Sequence, residues 1–179
     1  AEPVVQHAEH YGAAATRVGP TGEVPVVNLT RAQLGKAERL RSARCLAQVR
    51  FFEGRIEHLP IADACYDAVI SNGVVNLSAD KATVFAEAAR VLVPGGRLAI
   101  ADIVAERPLA ESITCNAELW AACVGGAAQI DDYLDAIEKA GLRIETTREN
   151  TTYAFLSGSA RGATKTYGIK SISLLAVKP

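Results

Sequence analysis

Short apolar runs alternate along the chain with stretches that have helical periodicity. Strands are predicted at three mostly apolar segments that carry β-branched residues, namely Val49–Glu53, Tyr66–Ser71 and Arg97–Val104. Apolar residues recur at helical spacing between Ser78 and Val91 and from Ile130 to Ile137, which predicts two helices. Because the strands are apolar rather than alternating, they suit a parallel sheet that helices cover on both faces.

Local signals predict where several helices begin and end. Thr30 and Gln33 match a capping box, which predicts a helix from about Arg31 to Ala43. The sequence Pro94-Gly95-Gly96 is expected to stop the helix that precedes it, and Gly141 is expected to cap the next helix in a left-handed conformation.

The C-terminal third of the chain predicts an antiparallel pair. Strands are expected at Leu142–Thr147 and Ser171–Val177, and Ser157–Gly168 is rich in Gly, Ser and Thr and predicts a surface loop between them. The predicted fold is therefore α/β, a doubly wound and mostly parallel sheet with an antiparallel C-terminal strand. We expect residues 1–179 to form a single domain.

Composition excludes several classes of partner. The formal net charge is −1 with scattered Lys and Arg, so nucleic acid is not an expected partner. Apolar runs such as Leu98–Ala101 are far shorter than the about 20 residues that span a bilayer, so no membrane segment is predicted. The four cysteines form no CxxC pair, which favours neither a metal site nor a disulfide scaffold and fits a reducing cytoplasm. Cys45 and Cys65 are expected to be packed as small apolar side chains.

Candidate binding residues follow the predicted strands, because doubly wound folds bind ligands at the carboxyl ends of their strands. Four segments occupy such positions: Asn28, Gly54–Pro60, Ser71–Leu77 and Val104–Pro108.

Several of these segments resemble the later motifs of class I S-adenosylmethionine-dependent methyltransferases. The similar segments are Gly54–Pro60, Asp67–Asn72, Asn76–Lys81 (NLSADK) and Arg90–Gly96 (RVLVPGG), and the last two are especially similar to arsenite methyltransferases. Leu119–Ala127 resembles the segment of that group in which a cysteine thiolate binds trivalent arsenic. The resemblance extends in register from roughly Gly22 to Ala140.

The resemblance implies a Rossmann-like methyltransferase with S-adenosylmethionine as cofactor and a small molecule as substrate. It places Asn28 at the ribose, Ile56 and Glu57 against the adenine, and Ser71, Asn72 and Gly73 towards the methionine end of the cofactor. A plain alternative is that Ile56 belongs to the core, that Glu57 is a solvated charge and that Asn72-Gly73 is a turn.

Cys123 and Cys115 are the candidate catalytic residues. Their spacing of eight residues places them on a similar face if one continuous helix carries both. A buried helix thiol is the alternative interpretation of Cys123.

The chain also departs from the resembled pattern in three ways. It has no D/E-x-G-x-G-x-G motif and no methionine, so we expect the expressed protein to contain further residues, including a glycine-rich loop, near Tyr11–Thr16. Asn28 stands where an acidic residue normally accepts hydrogen bonds from the ribose. Gly73 stands where arsenite methyltransferases have a second cysteine, which puts arsenite as substrate in doubt.

Three functions are compatible with these observations. The first is methyl transfer to a small molecule by in-line attack on the cofactor methyl group. The second is a non-catalytic binding or scaffold protein that retains the methyltransferase fold. The third is another nucleotide-binding α/β enzyme such as a reductase, although the chain has no G-x-G-x-x-G motif.

Overall fold

The computed structural model describes residues 12–28, 30–121, 123–155 and 158–179. Tyr11, Ala122 and Ser157, which belong to segments discussed above, lie outside the described residues. The chain divides into two compact units, one ending at Pro60 and one beginning at Ile61.

The first unit is a small βαβ arrangement. Residues 12–18 form helix α1, and β1 (Val24–Asn28), α2 (Arg31–Ala43) and β2 (Val49–Glu53) follow it. The two strands pair in parallel, with Val24 opposite Val49. A small core of Ala15, Ala37 and Val49 holds the helices against the strands.

Helix α2 begins with the predicted N-cap residue, Thr30. The Thr30 Oγ1 atom accepts a hydrogen bond from the Gln33 backbone N–H at 3.3 Å and donates one to Gln33 Oε1 at 2.8 Å. This arrangement satisfies one of the free N–H groups of the first helical turn, and the predicted bounds of the helix are confirmed.

The second unit is built on a four-stranded sheet with the order β3-β4-β6-β5. Its elements in chain order are β3 (Tyr66–Asn72), a 3-10 turn (Val75–Leu77), α3 (Lys81–Val91), β4 (Leu92–Val104), α4 (Glu111–Thr114), α5 (Ala117–Ala121), α6 (Ile130–Lys139), β5 (Arg143–Glu149), α7 (Gly158–Tyr167) and β6 (Lys170–Val177). β3 and β4 are parallel, whereas β6 is antiparallel to both β4 and β5. The predicted α/β class and the antiparallel C-terminal strand are confirmed.

The strand β4 begins earlier than predicted. Helix α3 ends at Val91, and β4 starts at once with Leu92 opposite Tyr66, whereas Arg97 lies opposite Ala68. The intervening residues therefore form a bulge, in which Gly95 has a φ of +78°. Pro94-Gly95-Gly96 thus shapes the first part of a strand rather than a separate turn.

Gly141 ends α6 as predicted. It has a φ of +85°, and its N–H donates to the Glu138 carbonyl oxygen at 2.9 Å. The N–H of Leu142 donates to the Ile137 carbonyl oxygen at 3.3 Å. These two bonds form a Schellman motif, which satisfies carbonyl groups at the helix end.

The predicted loop at Ser157–Gly168 is wrong, because the structure has helix α7 over Gly158–Tyr167. Ala163 and Ile169 are buried in an apolar cluster with Ile103 and Leu119. Gly and Thr are poor helix formers, but burial of one helix face against this cluster compensates for the weak local propensity.

The face of the sheet that carries α3 and α6 is closed by aromatic packing. Phe85 of α3 and Tyr133 of α6 are almost wholly buried, and their rings meet edge to face with centroids 5.1 Å apart. No helix within the described ranges has the length and apolar character needed to cross a membrane.

Candidate functional site

The carboxyl end of β3 leads directly into a tight turn. The Gly73 N–H donates to the Ala101 carbonyl oxygen at 2.8 Å, so the pairing of β3 with β4 continues to this residue. Gly73 then has a φ of +66°, a conformation that side-chain-bearing residues rarely adopt, and the chain enters the 3-10 turn. Ser71 is half-buried and Asn72 is exposed beside this turn.

Cys123 lies against this strand end. Its thiol donates to the Gly73 carbonyl oxygen with Sγ and O 3.4 Å apart. A Cβ atom at Gly73 would lie 3.8 Å from that sulfur, which is ordinary van der Waals contact. The thiol is half-buried, and Cys123 has a φ of +59°. The structure therefore brings together two of the predicted site residues, Gly73 and Cys123.

Two glycines explain how the segment after Cys123 reaches this position. A Cβ atom at Gly126 would lie 1.9 Å from the Asn76 carbonyl oxygen, and one at Gly125 would lie 2.7 Å from Trp120 Cδ1. Both distances are too short for a side chain. Gly126 is therefore required for the close approach of this segment to Asn76 in the 3-10 turn, and Gly125 for its close approach to Trp120 of α5.

Cys115 does not share a helix with Cys123, so the condition under which both would lie on one helix face is not met. Helix α4 ends at Thr114, and Asn116 begins a new helix because its Oδ1 atom accepts from the N–H groups of Glu118 and Leu119 at 2.9 and 3.1 Å. Cys115 is exposed in the break between them.

A buried polar cluster lies behind the Gly73–Cys123 contact. Asp102 of β4 is 2% exposed, and its Oδ1 atom accepts from the Ile103 N–H at 2.9 Å. Its Oδ2 atom accepts from the Asn76 N–H and from the Tyr133 hydroxyl, both at 3.2 Å. We call Asn76, Asp102 and Tyr133 the buried triad.

The side chain of Asn76 connects the buried triad to Cys123. Its Nδ2 atom donates to the Ile103 carbonyl oxygen at 2.5 Å and to the Cys123 carbonyl oxygen at 3.4 Å. Asn76 is fully buried, and its Oδ1 atom has no hydrogen-bond partner among the described residues. The sequence predicted no role for this triad, although a lone carboxyl group inside the apolar run Leu98–Val104 is a signal that could have identified it.

Burial dominates the ionisation of this region. It raises the pKa of Asp102 to about 6, although hydrogen bonds from Ile103, Tyr133 and Asn76 and the charge of Lys81 favour the ionised form. Burial also raises the pKa of the Cys123 thiol, and the negative charge of Asp102 raises it further. Cys123 is consequently a protonated thiol at neutral pH.

Three predicted cofactor-binding residues belong to the first unit. Asn28 ends β1 opposite Glu53, and its carbonyl oxygen accepts from the Gly54 N–H at 3.1 Å. Ile56 is half-buried, and the Glu57 carboxylate is paired with Arg55, whose Nε atom is 3.4 Å from Glu57 Oε2.

The remaining cysteines do not pack as predicted. Cys45 and Cys65 are both exposed, so the expectation that they are buried is wrong. Cys45 has a φ of +52° just after the end of α2, and Cys65 lies just before β3, where its thiol donates to the Asp63 carbonyl oxygen at 3.3 Å. Within the described part of the chain, no group of three or more His, Cys, Asp or Glu residues is placed to hold a metal ion.

Comparison with known proteins identifies the class. A family model described as a methyltransferase domain matches residues 8–141, and the chain belongs to this family. The particular resemblance to arsenite methyltransferases is also confirmed. The chain is 37% identical over 145 residues to the arsenite methyltransferase of Halobacterium salinarum, covering 80% of this chain and 37% of that protein. It is 36% identical over 119 residues to that of Homo sapiens, covering 62% of this chain and 32% of that protein. The chain thus spans about a third of the length of these relatives.

Solved structures agree with this assignment. The fold matches an arsenic(III) S-adenosylmethionine methyltransferase from Chlamydomonas reinhardtii with a TM-score of 0.74 and 32% identity, covering 92% of this chain and 57% of that one. A geranyl diphosphate C-methyltransferase from Streptomyces coelicolor A3(2), solved with S-adenosyl-L-homocysteine, matches with a TM-score of 0.76 over 94% of this chain and 67% of that one. At 19% identity, this second match concerns the fold alone.

The donor groups at the strand ends suit the cofactor of this family. Asn28 supplies an amide that can accept from or donate to a ribose hydroxyl. Ile56 offers a half-buried apolar surface and Glu57 a half-buried carboxylate, and an adenine ring with its amino group matches that combination. The described residues contain no glycine-rich loop between a strand and a helix. Their first element is helix α1, and no described strand precedes it. The loop predicted near Tyr11–Thr16 stays a prediction, and of that segment only residues 12–16 are described, as helix.

Proposed function

We propose that this chain binds S-adenosylmethionine and transfers its methyl group to a small molecule bound beside Cys123. We further propose that residues 1–179 belong to one methyltransferase domain, since the family match continues across the boundary between the two units at Pro60 and Ile61. The four free cysteines fit the reducing cytoplasm that we propose as its location.

The contact between Cys123 and Gly73 is the observation that carries this proposal. Open α/β sheets bind ligands outside the carboxyl ends of their strands, and Gly73 lies at that end of β3. The sulfur of Cys123 lies 3.4 Å from the Gly73 carbonyl oxygen, so a thiol from the segment that resembles an arsenic-binding sequence stands at this edge. Exposed Cys115 has no part in this contact, and we therefore propose that Cys123 is the thiol that lies beside the acceptor.

The acceptor in this proposal is a small molecule other than free arsenite. A soft trivalent centre is held well by two or three thiolates and poorly by one. Gly73 supplies no side chain, and burial keeps Cys123 protonated at neutral pH. The thiol therefore lines the acceptor pocket and helps to orient the nucleophile.

When bound, the cofactor supplies an electrophilic methyl group on sulfur. We propose that Asn28 binds the ribose, that Ile56 and Glu57 bind the adenine, and that Ser71, Asn72 and Gly73 bind the methionine end. None of these groups is required to move a proton. The protein contributes by holding the acceptor in line with the methyl group and by excluding water.

Thermal melting with S-adenosylhomocysteine tests the proposal. A ligand that binds only the folded protein at 100 times its dissociation constant stabilises it by about 2.7 kcal/mol. We expect a rise in the melting temperature with S-adenosylhomocysteine and none with NAD, which is the matched control for a reductase. Asn28→Ala should weaken the response to S-adenosylhomocysteine.

A binding or scaffold role is the second candidate, because the described residues contain no glycine-rich cofactor loop. Its expected result is a melting temperature that stays constant up to millimolar S-adenosylhomocysteine. That result would remove the methyltransferase proposal.

A further inference from the structure

A continuous chain of hydrogen bonds leads from a buried carboxyl group in β4 to the backbone of Cys123. The Asp102 Oδ2 atom accepts from the Asn76 N–H at 3.2 Å, and Asn76 Nδ2 donates to the Cys123 carbonyl oxygen at 3.4 Å. The same Nδ2 atom donates to the Ile103 carbonyl oxygen at 2.5 Å. Both hydrogens of the amide are therefore committed, which fixes its orientation.

We infer that Asp102 is a positioning residue, which acts through Asn76 to hold Cys123 against Gly73 and sets the reactivity of its thiol by charge. This inference rests on the proposed function, because it assumes that Cys123 faces the acceptor.

The conformation of Cys123 explains why such support is needed. Residues with a side chain rarely adopt the left-handed region, because the Cβ atom comes too close to the following carbonyl oxygen, yet Cys123 lies there with a φ of +59°. The hydrogen bond from the Asn76 side chain to the Cys123 carbonyl oxygen, and the close packing of nearby Gly126 against the Asn76 backbone, oppose relaxation of this strained residue. The Asp102 carboxylate in turn accepts a hydrogen bond from the Asn76 backbone N–H and so holds Asn76 in place.

The groups that face Asp102 come from several elements. Tyr133 of α6 donates its hydroxyl, Asn76 and Ile103 donate backbone N–H groups, and Lys81 at the start of α3 contributes a positive charge. The Cys123 thiol lies near enough for the charge of Asp102 to disfavour the thiolate. Ionisation of Asp102 must therefore suppress the nucleophilicity of the thiol.

The experiment measures alkylation of Cys123 by iodoacetamide as a function of pH. The three exposed cysteines, Cys45, Cys65 and Cys115, are first replaced by serine, so that Cys123 alone reacts. Below the thiol pKa, the logarithm of the rate normally rises in proportion to pH, because the thiolate is the nucleophile. In a plot of the logarithm of the alkylation rate against pH, we expect a downward displacement around pH 6, where Asp102 ionises. Above that pH the logarithm of the rate should rise again with its normal slope.

Variants separate the effect of charge from simple loosening of the fold. Asp102→Asn should give one straight line without the displacement, and a several-fold faster reaction at neutral pH. A variant that only loosens the fold should change the alkylation rate by the same factor at every pH. If the downward step near pH 6 is still present in Asp102→Asn, the inference is overturned. Asp67→Asn makes the same chemical change at an exposed position of β3 and should leave the profile unchanged.

Two further variants test the inference if Asp102→Asn does not fold. Tyr133→Phe removes a hydrogen bond that favours ionised Asp102, so the displacement should move to higher pH; an unmoved displacement counts against the inference. Asn76→Ser should accelerate alkylation several-fold at every pH, and an unchanged rate overturns the route through Asn76. These measurements use neither cofactor nor acceptor, so their failure is distinct from failure of the S-adenosylhomocysteine test.

Discussion

The buried carboxyl group of Asp102 makes the stability of the protein depend on pH. Its pKa is about 6 in the folded protein against an ordinary value of 3.8. Between these two values the folded protein keeps a proton that the unfolded chain has lost. The free energy of unfolding therefore falls as pH rises. This contribution is fully present below an unfolded pKa of 3.8 and is lost as pH rises through about 6.

The size of the effect follows from the same two values. At 1.36 kcal/mol for each pKa unit, a rise from 3.8 to about 6 corresponds to about 3 kcal/mol. Asp102 is 2% exposed, so solvent screens this contribution little. Asp102→Asn removes the titration. It also leaves a donor of the cluster unsatisfied, which costs about 1–3 kcal/mol at every pH.

Urea denaturation at a series of pH values from 4 to 7 measures this dependence. We expect the wild type to lose about 2 kcal/mol relative to Asp102→Asn across that range, because part of the full difference is already lost at pH 4, which lies above the unfolded pKa of 3.8. Other carboxyl groups titrate in both proteins, and the difference between the two curves cancels them. Parallel curves for the two proteins would refute the assignment of the raised pKa to Asp102.

Three further predictions concern the site and its supporting glycines. Cys123→Ser should sharply reduce methyl transfer while changing the melting temperature little. If Cys123 is instead a buried core thiol, the substitution should lower the free energy of unfolding, measured by urea titration, by about 1 kcal/mol or more. Gly73→Cys should bind arsenite more tightly than the wild type by calorimetry under reducing conditions, because its Cβ atom would lie 3.8 Å from the existing sulfur. Gly126→Ala should lower the free energy of unfolding by about 1–3 kcal/mol, since its Cβ atom would lie 1.9 Å from the Asn76 carbonyl oxygen.

Each of these predictions has a matched control. Cys115→Ser alters an exposed thiol and should leave methyl transfer unchanged. Gly73→Ala places a Cβ atom on the same left-handed backbone as Gly73→Cys but adds no sulfur. Equal arsenite binding by these two variants would contradict the explanation that a second thiol binds arsenic. Gly35→Ala adds a Cβ atom where nothing lies within 4 Å inside α2, and it should stabilise the protein by about 0.5–1 kcal/mol.

The sequence alone determined most of the elements, because their signals are local. The capping residues at Thr30 and Gln33 and the left-handed Gly141 depend on hydrogen bonds within a few residues, and the structure has both as predicted. The apolar strands predicted parallel pairing without knowledge of their partners, and β1–β2 and β3–β4 are parallel, whereas the pairs that β6 makes with β4 and β5 are antiparallel.

Only the tertiary structure decided the features that depend on distant neighbours. Helix α7 forms from a segment of weak helix propensity because Ala163 is buried against residues far away in sequence. The helix break at Cys115 separates the two candidate cysteines, and Cys123 contacts Gly73 instead, in a segment where Gly126 allows a close approach to the 3-10 turn. The pKa of Asp102 is likewise a property of the packed interior, because the free-energy cost of a charge depends on how much water the fold excludes from it.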